Sequence, residues 1–363
     1  MRAVARFVLL IGIAISSPCT LARGPLAETG ELQGAPWRID VPEHWNGELV
    51  MLAHGFEPPG TPRAAAWPAN EATPALLGAG YAVAQSGYSR QGWAVAEGVA
   101  DTERLRQRFI ARHPDTKRTW IMGFSMGGAI AIASLERQPA HYAGGVSLCG
   151  ANLPAETLAG ELLTTLVAFD YFFPGAEGLP AEGLASSAAA AMPQAQIYPA
   201  VTAALQTRPD VARRLATRLE VAPDELAGII SLHALVLHDM AAGAGGMPVG
   251  NQDSVYRGFG DDEAFNAGVR RYAADTGAQA RFREQPALTG ALRRPLVIQF
   301  NRRDPTITPR LQAIYPRLAA QAGATPAPTV LPAAGAGHCG FSDVETLAAL
   351  KTLADQVAAT PAP

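Results

Sequence analysis

The stretch that most narrows what this chain can become is Thr119-Trp120-Ile121-Met122-Gly123-Phe124-Ser125-Met126-Gly127-Gly128-Ala129-Ile130-Ala131. A short apolar strand runs into Gly-x-Ser-x-Gly and then directly into small residues that suit a helix. A serine at such a junction takes a strained, near left-handed conformation that lifts its hydroxyl clear of the sheet edge. Gly123 and Gly127 remove the Cβ atoms that would collide where strand and helix close on each other. The helix beginning after Ser125 aims its first amides, Met126 N–H foremost, at negative charge developing beside that hydroxyl. The same five-residue pattern also occurs in ordinary glycine-rich turns, so its weight depends on what else the chain places near it.

The chain opens with Met1-Arg2-Ala3-Val4-Ala5-Arg6, an apolar run from Phe7 to Ile15, and Ser16-Ser17-Pro18-Cys19-Thr20-Leu21-Ala22. Two arginines, a short apolar core and a small-residue exit read as a secretory signal over 1–22, too short for a stable membrane span. Ser17-Pro18 fits a lipobox poorly, so Cys19 is expected to leave with the signal. The expected product is exported, periplasmic or secreted, without a membrane anchor. At 48% hydrophobic, 17% charged and net −3, the remainder has ample core and no electrostatic basis for binding nucleic acid.

Glu48-Leu49-Val50-Met51-Leu52-Ala53 reads as a buried strand stopping at His54-Gly55-Phe56, with an alternating segment, Pro36 to Val41, before it. Gly55 lets the backbone turn inward and present the Phe56 N–H beside the serine; the His54 side chain reads as a structural group that fastens the loop. Tyr81 to Gln85 is the next strand, closing in a polar aromatic loop whose Tyr88 and Trp93 suit either a pocket wall or plain packing. Helical patterns follow at Asn70–Leu77, Ala94–His113 and Met126–Gln138, with a strand over 143–148. This alternation predicts a parallel sheet with right-handed crossovers.

The rhythm breaks from Ala151 to Arg294, a mostly alanine-rich helical stretch expected to form a cap; the core resumes at Pro295 and runs to 358, leaving 359–363 as a frayed tail. His233 and His238 lie five apart, which does not suit a helical metal site, and no metal is expected. The strand Leu296–Phe300 leads to Asp304, where an acid past a parallel strand's C-terminal end enters the crevice that gathers catalytic groups; an Asp-Pro turn is the plainer alternative. Thr329-Val330-Leu331 is the last strand. After it, His338 sits between glycines ahead of the capping box Ser342-Asp343-Val344-Glu345, positioned as a general base for Ser125.

The order Ser125, Asp304, His338, each following a strand, resembles the α/β-hydrolases, and the resemblance covers nearly the whole mature sequence. It implies an eight-stranded, mostly parallel sheet, a helical cap after the strand ending near Cys149, and no cofactor. By position it makes Ser125 the nucleophile, His338 the base, Asp304 its partner, and Phe56 with Met126 the oxyanion amides. Cys149 and Cys339 fall on the same rim, either as a disulfide or as two buried thiols. The bonded form is similar to that of tannases and feruloyl esterases, although Phe124, not cysteine, precedes Ser125. The expected reaction is ester hydrolysis on a small molecule. A peptidase of the same fold is the alternative, with Glu97, Asp253, Asp261, Asp262 and Glu263 as candidate anchors for a substrate amine. A non-catalytic binding relative is less expected, since such proteins typically lose the serine or the histidine.

Overall fold

The computed structural model describes residues 25–359; the signal segment read at 1–22, with Cys19, and positions 360–363 lie outside them. The chain begins with β1 (Leu26–Leu32) and β2 (Ala35–Val41), an antiparallel hairpin turned at Gln33-Gly34, both at positive φ, as a two-residue hairpin requires. No strand is expected at β1 from its sequence, because Leu-Ala-Glu-Thr-Gly-Glu-Leu has little β-branched content and lies largely exposed on the sheet edge.

The order continues β3 (Glu48–Ala53), α1 (Thr73–Gly78), β4 (Ala82–Ser86), α2 (Val95–Arg112), β5 (Arg118–Phe124), α3 (Met126–Arg137) and β6 (Gly144–Leu148). Seven helices follow: α4 (Ala155–Phe172), α5 (Ser187–Ala190), α6 (Gln194–Thr207), α7 (Pro209–Leu219), α8 (Leu226–Ala244), α9 (Asp262–Gly268) and α10 (Thr276–Arg283). Then come β7 (Leu296–Gln299), α11 (Pro309–Gln312), α12 (Ile314–Gln321), β8 (Thr329–Val330) and α13 (Asp343–Ala359). Ala359, read as tail, closes this last helix.

The strands form one sheet in the order β1-β2-β4-β3-β5-β6-β7-β8, and β2 alone runs against the rest. The central strands are covered on both faces, which explains why they read as apolar runs rather than alternations. Leu49, Met51 and Ile121 join the core on the side of α2 and α3, while Val50, Leu52, Trp120 and Met122 pack with Leu76 of α1 and Leu350 and Leu353 of α13. Because β3, β5, β6 and β7 are parallel, the loops after them emerge at one edge, where ligands collect in such sheets.

In the insertion, α8 packs on α4 and α6. Asp170, near the end of α4, accepts the Leu184 N–H at 3.0 Å, and burial raises its carboxyl to a pKa of about 6. A carboxyl titrating higher folded than unfolded weakens the fold above its folded pKa, and the penalty vanishes below the unfolded value of 3.8. Asp170→Asn is therefore expected to gain up to roughly 3 kcal/mol at pH 8 and nothing at pH 3.5. Denaturant titrations of both proteins at the two pH values check this; an equal difference at both contradicts it.

Candidate active site

Ser125 sits between β5 and α3 at φ 55°, ψ −122°. The positive φ agrees with a strained elbow, but ψ lies far from the left-handed helical value near +47°, so the residue is not near-αL. Its conformation is held from three sides. Ser125 N donates to Leu148 O at 3.2 Å, and Ser125 O accepts from Gly128 N and Ala151 N, both at 2.9 Å. A Cβ on Gly123 would stand 1.8 Å from Gly127 O, and one on Gly127 would stand 2.0 Å from Ala53 O. The two glycines are thus required by contact between β3, β5 and α3.

The Ser125 hydroxyl lies 2.8 Å from His338 Nε2. His338 Nδ1 is 3.0 Å from both carboxylate oxygens of Asp304. This geometry assigns the Nδ1 proton to the bond with Asp304 and leaves Nε2 free to accept from the serine. Asp304 is buried, and its Oδ1 also accepts the Thr306 N–H at 2.9 Å and the Ile307 N–H at 3.0 Å. The carboxylate thus both organises its own turn, through Oδ1, and faces His338 Nδ1 with both oxygens.

The His338 loop is fastened at several points. Buried Asn301 accepts the Cys339 N–H and donates to Ala334 O, each at 3.0 Å. Glu345 completes the capping box, accepting from Ser342 N at 2.8 Å while its own N–H meets Ser342 Oγ at 3.3 Å, and it reaches the Gly335 N–H at 3.2 Å. Cys149 and Cys339 form a disulfide with Cα atoms 5.2 Å apart, which binds the histidine loop to the end of β6. Replacing both cysteines by alanine is expected to cost roughly 2–5 kcal/mol, by the chain-entropy account of a long closed loop, and to lower turnover by loosening His338. Guanidinium unfolding and activity of the double variant test this. Full alkylation of both thiols in the unreduced, unfolded parent protein contradicts the pairing.

Ser125 and His338 open into a cavity of about 430 Å³ whose walls include Phe56, Trp93 and Met126. Met126 is the first residue of α3, where an amide has no intrahelical acceptor. Its thioether accepts the Ala94 N–H at 3.4 Å, tying α3 to the loop that carries Trp93. Gly55 lies against Ser125, for a Cβ there would be 3.1 Å from Ser125 Cβ. His54 is structural: Nδ1 meets Gly55 O at 2.8 Å, the ring stacks on Tyr88 at 4.0 Å, and burial lowers its pKa to about 4.

Of the two aromatic candidates, Trp93 lines the cavity and Tyr88 does not. Tyr88 is fully buried beneath the site, with its hydroxyl donating to His54 O at 3.2 Å; a tyrosine and a tryptophan in one loop give no sequence sign of which turns inward. The five acidic anchor candidates are also absent from the cavity wall, and Asp253, Asp262 and Glu263 surround a separate surface hollow. Glu161 and Arg310 escaped the sequence reading, and His233 was weighed there only as a metal ligand. Glu161 and His233 line the cavity, and Arg310 pairs with Glu161. The available signal was a histidine and an acid, His233 and Glu161, each inside a locally apolar stretch of a helix.

No protein-family model and no curated protein matches the chain. Solved structures similar to it include a carboxyl esterase from Bacillus coagulans, 12% identical over 93% of this chain and 97% of that one, TM-score 0.45. An esterase from Pyrococcus furiosus is 12% identical over 95% and 94%, TM-score 0.46. The acylaminoacyl peptidase of Pyrococcus horikoshii is 10% identical over 93% of this chain, TM-score 0.45, and the chain spans only 41% of that protein's length. The sheet order with β2 alone reversed, the glycine-flanked serine after β5, and the acid and histidine after β7 and β8 give this chain the α/β-hydrolase fold.

Proposed function

We propose that the protein is an exported serine hydrolase that cleaves carboxylic esters through an acyl-enzyme. The observation that carries this reading is the unbroken relay from Ser125 Oγ through His338 to Asp304. Ser125 attacks the ester carbonyl as His338 Nε2 takes its proton, and Asp304 holds and stabilises the imidazolium. The Phe56 and Met126 amides receive the oxyanion. His338 then returns the proton to the departing alcohol, and water, activated by the same nitrogen, releases the acid.

Ester rather than peptide cleavage is supported by the cavity wall. Its one carboxylate among the described residues, Glu161, is already committed to Arg310, which leaves no free acid for a substrate ammonium group. The paired cysteines favour an oxidising compartment, in keeping with the signal-like leader. The test is hydrolysis of p-nitrophenyl esters of graded acyl length beside aminoacyl p-nitroanilides. Ester turnover that tracks acyl length supports the reading, whereas cleavage of anilides alone replaces it with a peptidase.

A further inference from the structure

His233 lies on α8 and is 8% exposed, with that small exposure directed to the cavity it lines. Its Nδ1 is closed off without a hydrogen-bond partner, and Nε2, which makes no hydrogen bond among the described residues, is the ring nitrogen not closed off in this way. A ring nitrogen left unpartnered in a largely apolar wall is costly, on the order of 1–3 kcal/mol, and a ligand group in the cavity can meet it only at Nε2. Leucine at the same place would cost nothing, as its neighbours Leu232 and Val236 on the same wall illustrate.

The surroundings restrict what that group is. Glu161, from α4, faces the same cavity and is ion-paired with Arg310 of α11. Burial, with a lesser push from the Arg310 charge, lowers the His233 imidazole to about 3, so the ring is neutral at physiological pH. Glutamate and arginine cancel, and the histidine adds no charge. A carboxylate arriving at this corner would face Glu161, and an ammonium would find that carboxylate already paired with Arg310. Neither charge finds an unspent partner on the cavity wall, since Arg310 does not line it and its unpartnered Nε is closed off, whereas an uncharged oxygen can hydrogen-bond a neutral imidazole in either direction.

We propose that His233, in the corner it forms with the Glu161–Arg310 pair, is a specificity residue that hydrogen-bonds an uncharged oxygen, a hydroxyl or a carbonyl, carried on the apolar body of the ester. The substrate class is accordingly an oxygenated ester rather than a plain fatty-acyl one, a refinement that rests on the ester-hydrolase reading above.

The experiment compares kcat/KM for matched p-nitrophenyl alkanoates and ω-hydroxyalkanoates over a range of chain lengths, in wild type, His233→Leu and His233→Gln, each checked for folding by circular dichroism. Wild type is expected to favour the hydroxylated ester roughly tenfold at the length that reaches His233. The preference is expected to vanish in His233→Leu and to return in part in His233→Gln, which keeps a donor and an acceptor. A wild-type ratio near one at every length, or a preference that survives in folded His233→Leu, overturns the assignment of His233 while leaving the hydrolase intact. Failure of wild type to cleave either series overturns the ester reading itself, and the assignment with it. If His233→Leu does not fold, the wild-type ratio and the His233→Gln variant still decide: a wild-type ratio near one, or a preference undiminished in folded His233→Gln, overturns the assignment, and a preference that falls in His233→Gln supports it.

Discussion

Ser125→Ala is expected to reduce ester turnover on the order of 10⁴-fold or more while far-UV circular dichroism and the melting temperature stay close to those of the parent. The substitution removes one oxygen, the one 2.8 Å from His338 Nε2, and leaves the backbone bonds of Ser125 N and O untouched. Alanine inherits the positive φ at a cost similar to that already borne by serine, so the fold is not asked to absorb a new strain. The relay also predicts how losses combine. His338→Ala should be as severe as Ser125→Ala, and the double variant should be little worse than either, because base and nucleophile act as one unit. Burst and steady-state kinetics on a p-nitrophenyl ester measure all three. A Ser125→Ala protein retaining a tenth of parental turnover would remove the serine from the mechanism.

Gly123→Ala is expected to prevent folding or to destabilise the protein on the order of 5 kcal/mol or more, in contrast to Ser125→Ala two residues away. The added methyl would stand 1.8 Å from the Gly127 carbonyl oxygen and 2.2 Å from its carbon. Both are main-chain atoms at the start of α3, which is buried along most of its length between the sheet and α2. No side chain can swing aside, so relief requires moving helix from strand and reopening close-packed core. Soluble yield and denaturant midpoint report the outcome, and a variant with parental stability would mean the helix is not seated as tightly as the contacts require.

The meeting of Ser125, His338 and Asp304 was legible because each of the three is announced by a local backbone need. Glycines flank Ser125 at a strand–helix junction, Asp304 precedes a proline after a strand, and His338 lies between glycines before a capping box. The central strands were legible for a related reason, since burial on both faces leaves uninterrupted apolar runs. What stayed hidden depends on orientation in space. Tyr88 and Trp93 share a loop, yet only the second turns toward the cavity, and the choice is made by the stacking of Tyr88 on His54. Glu161, His233 and Arg310 are separated by long stretches of chain and meet only through the packing of α4, α8 and α11. The edge strand β1 was hidden for want of a buried face to pattern its residues.

The seven helices between β6 and β7 leave and re-enter the sheet at two strands that are hydrogen-bonded neighbours. Ser125 precedes the departure, while Asp304 and His338 follow the return, so these three residues are fixed by the loops of the sheet, and one side of the cavity beside them, from Leu158, Glu161 and Leu162 of α4 and Leu232, His233 and Val236 of α8, comes from the excursion. A change on the cavity side of α4 or α8 can therefore reshape that wall without touching the strands that hold Ser125, Asp304 and His338 together.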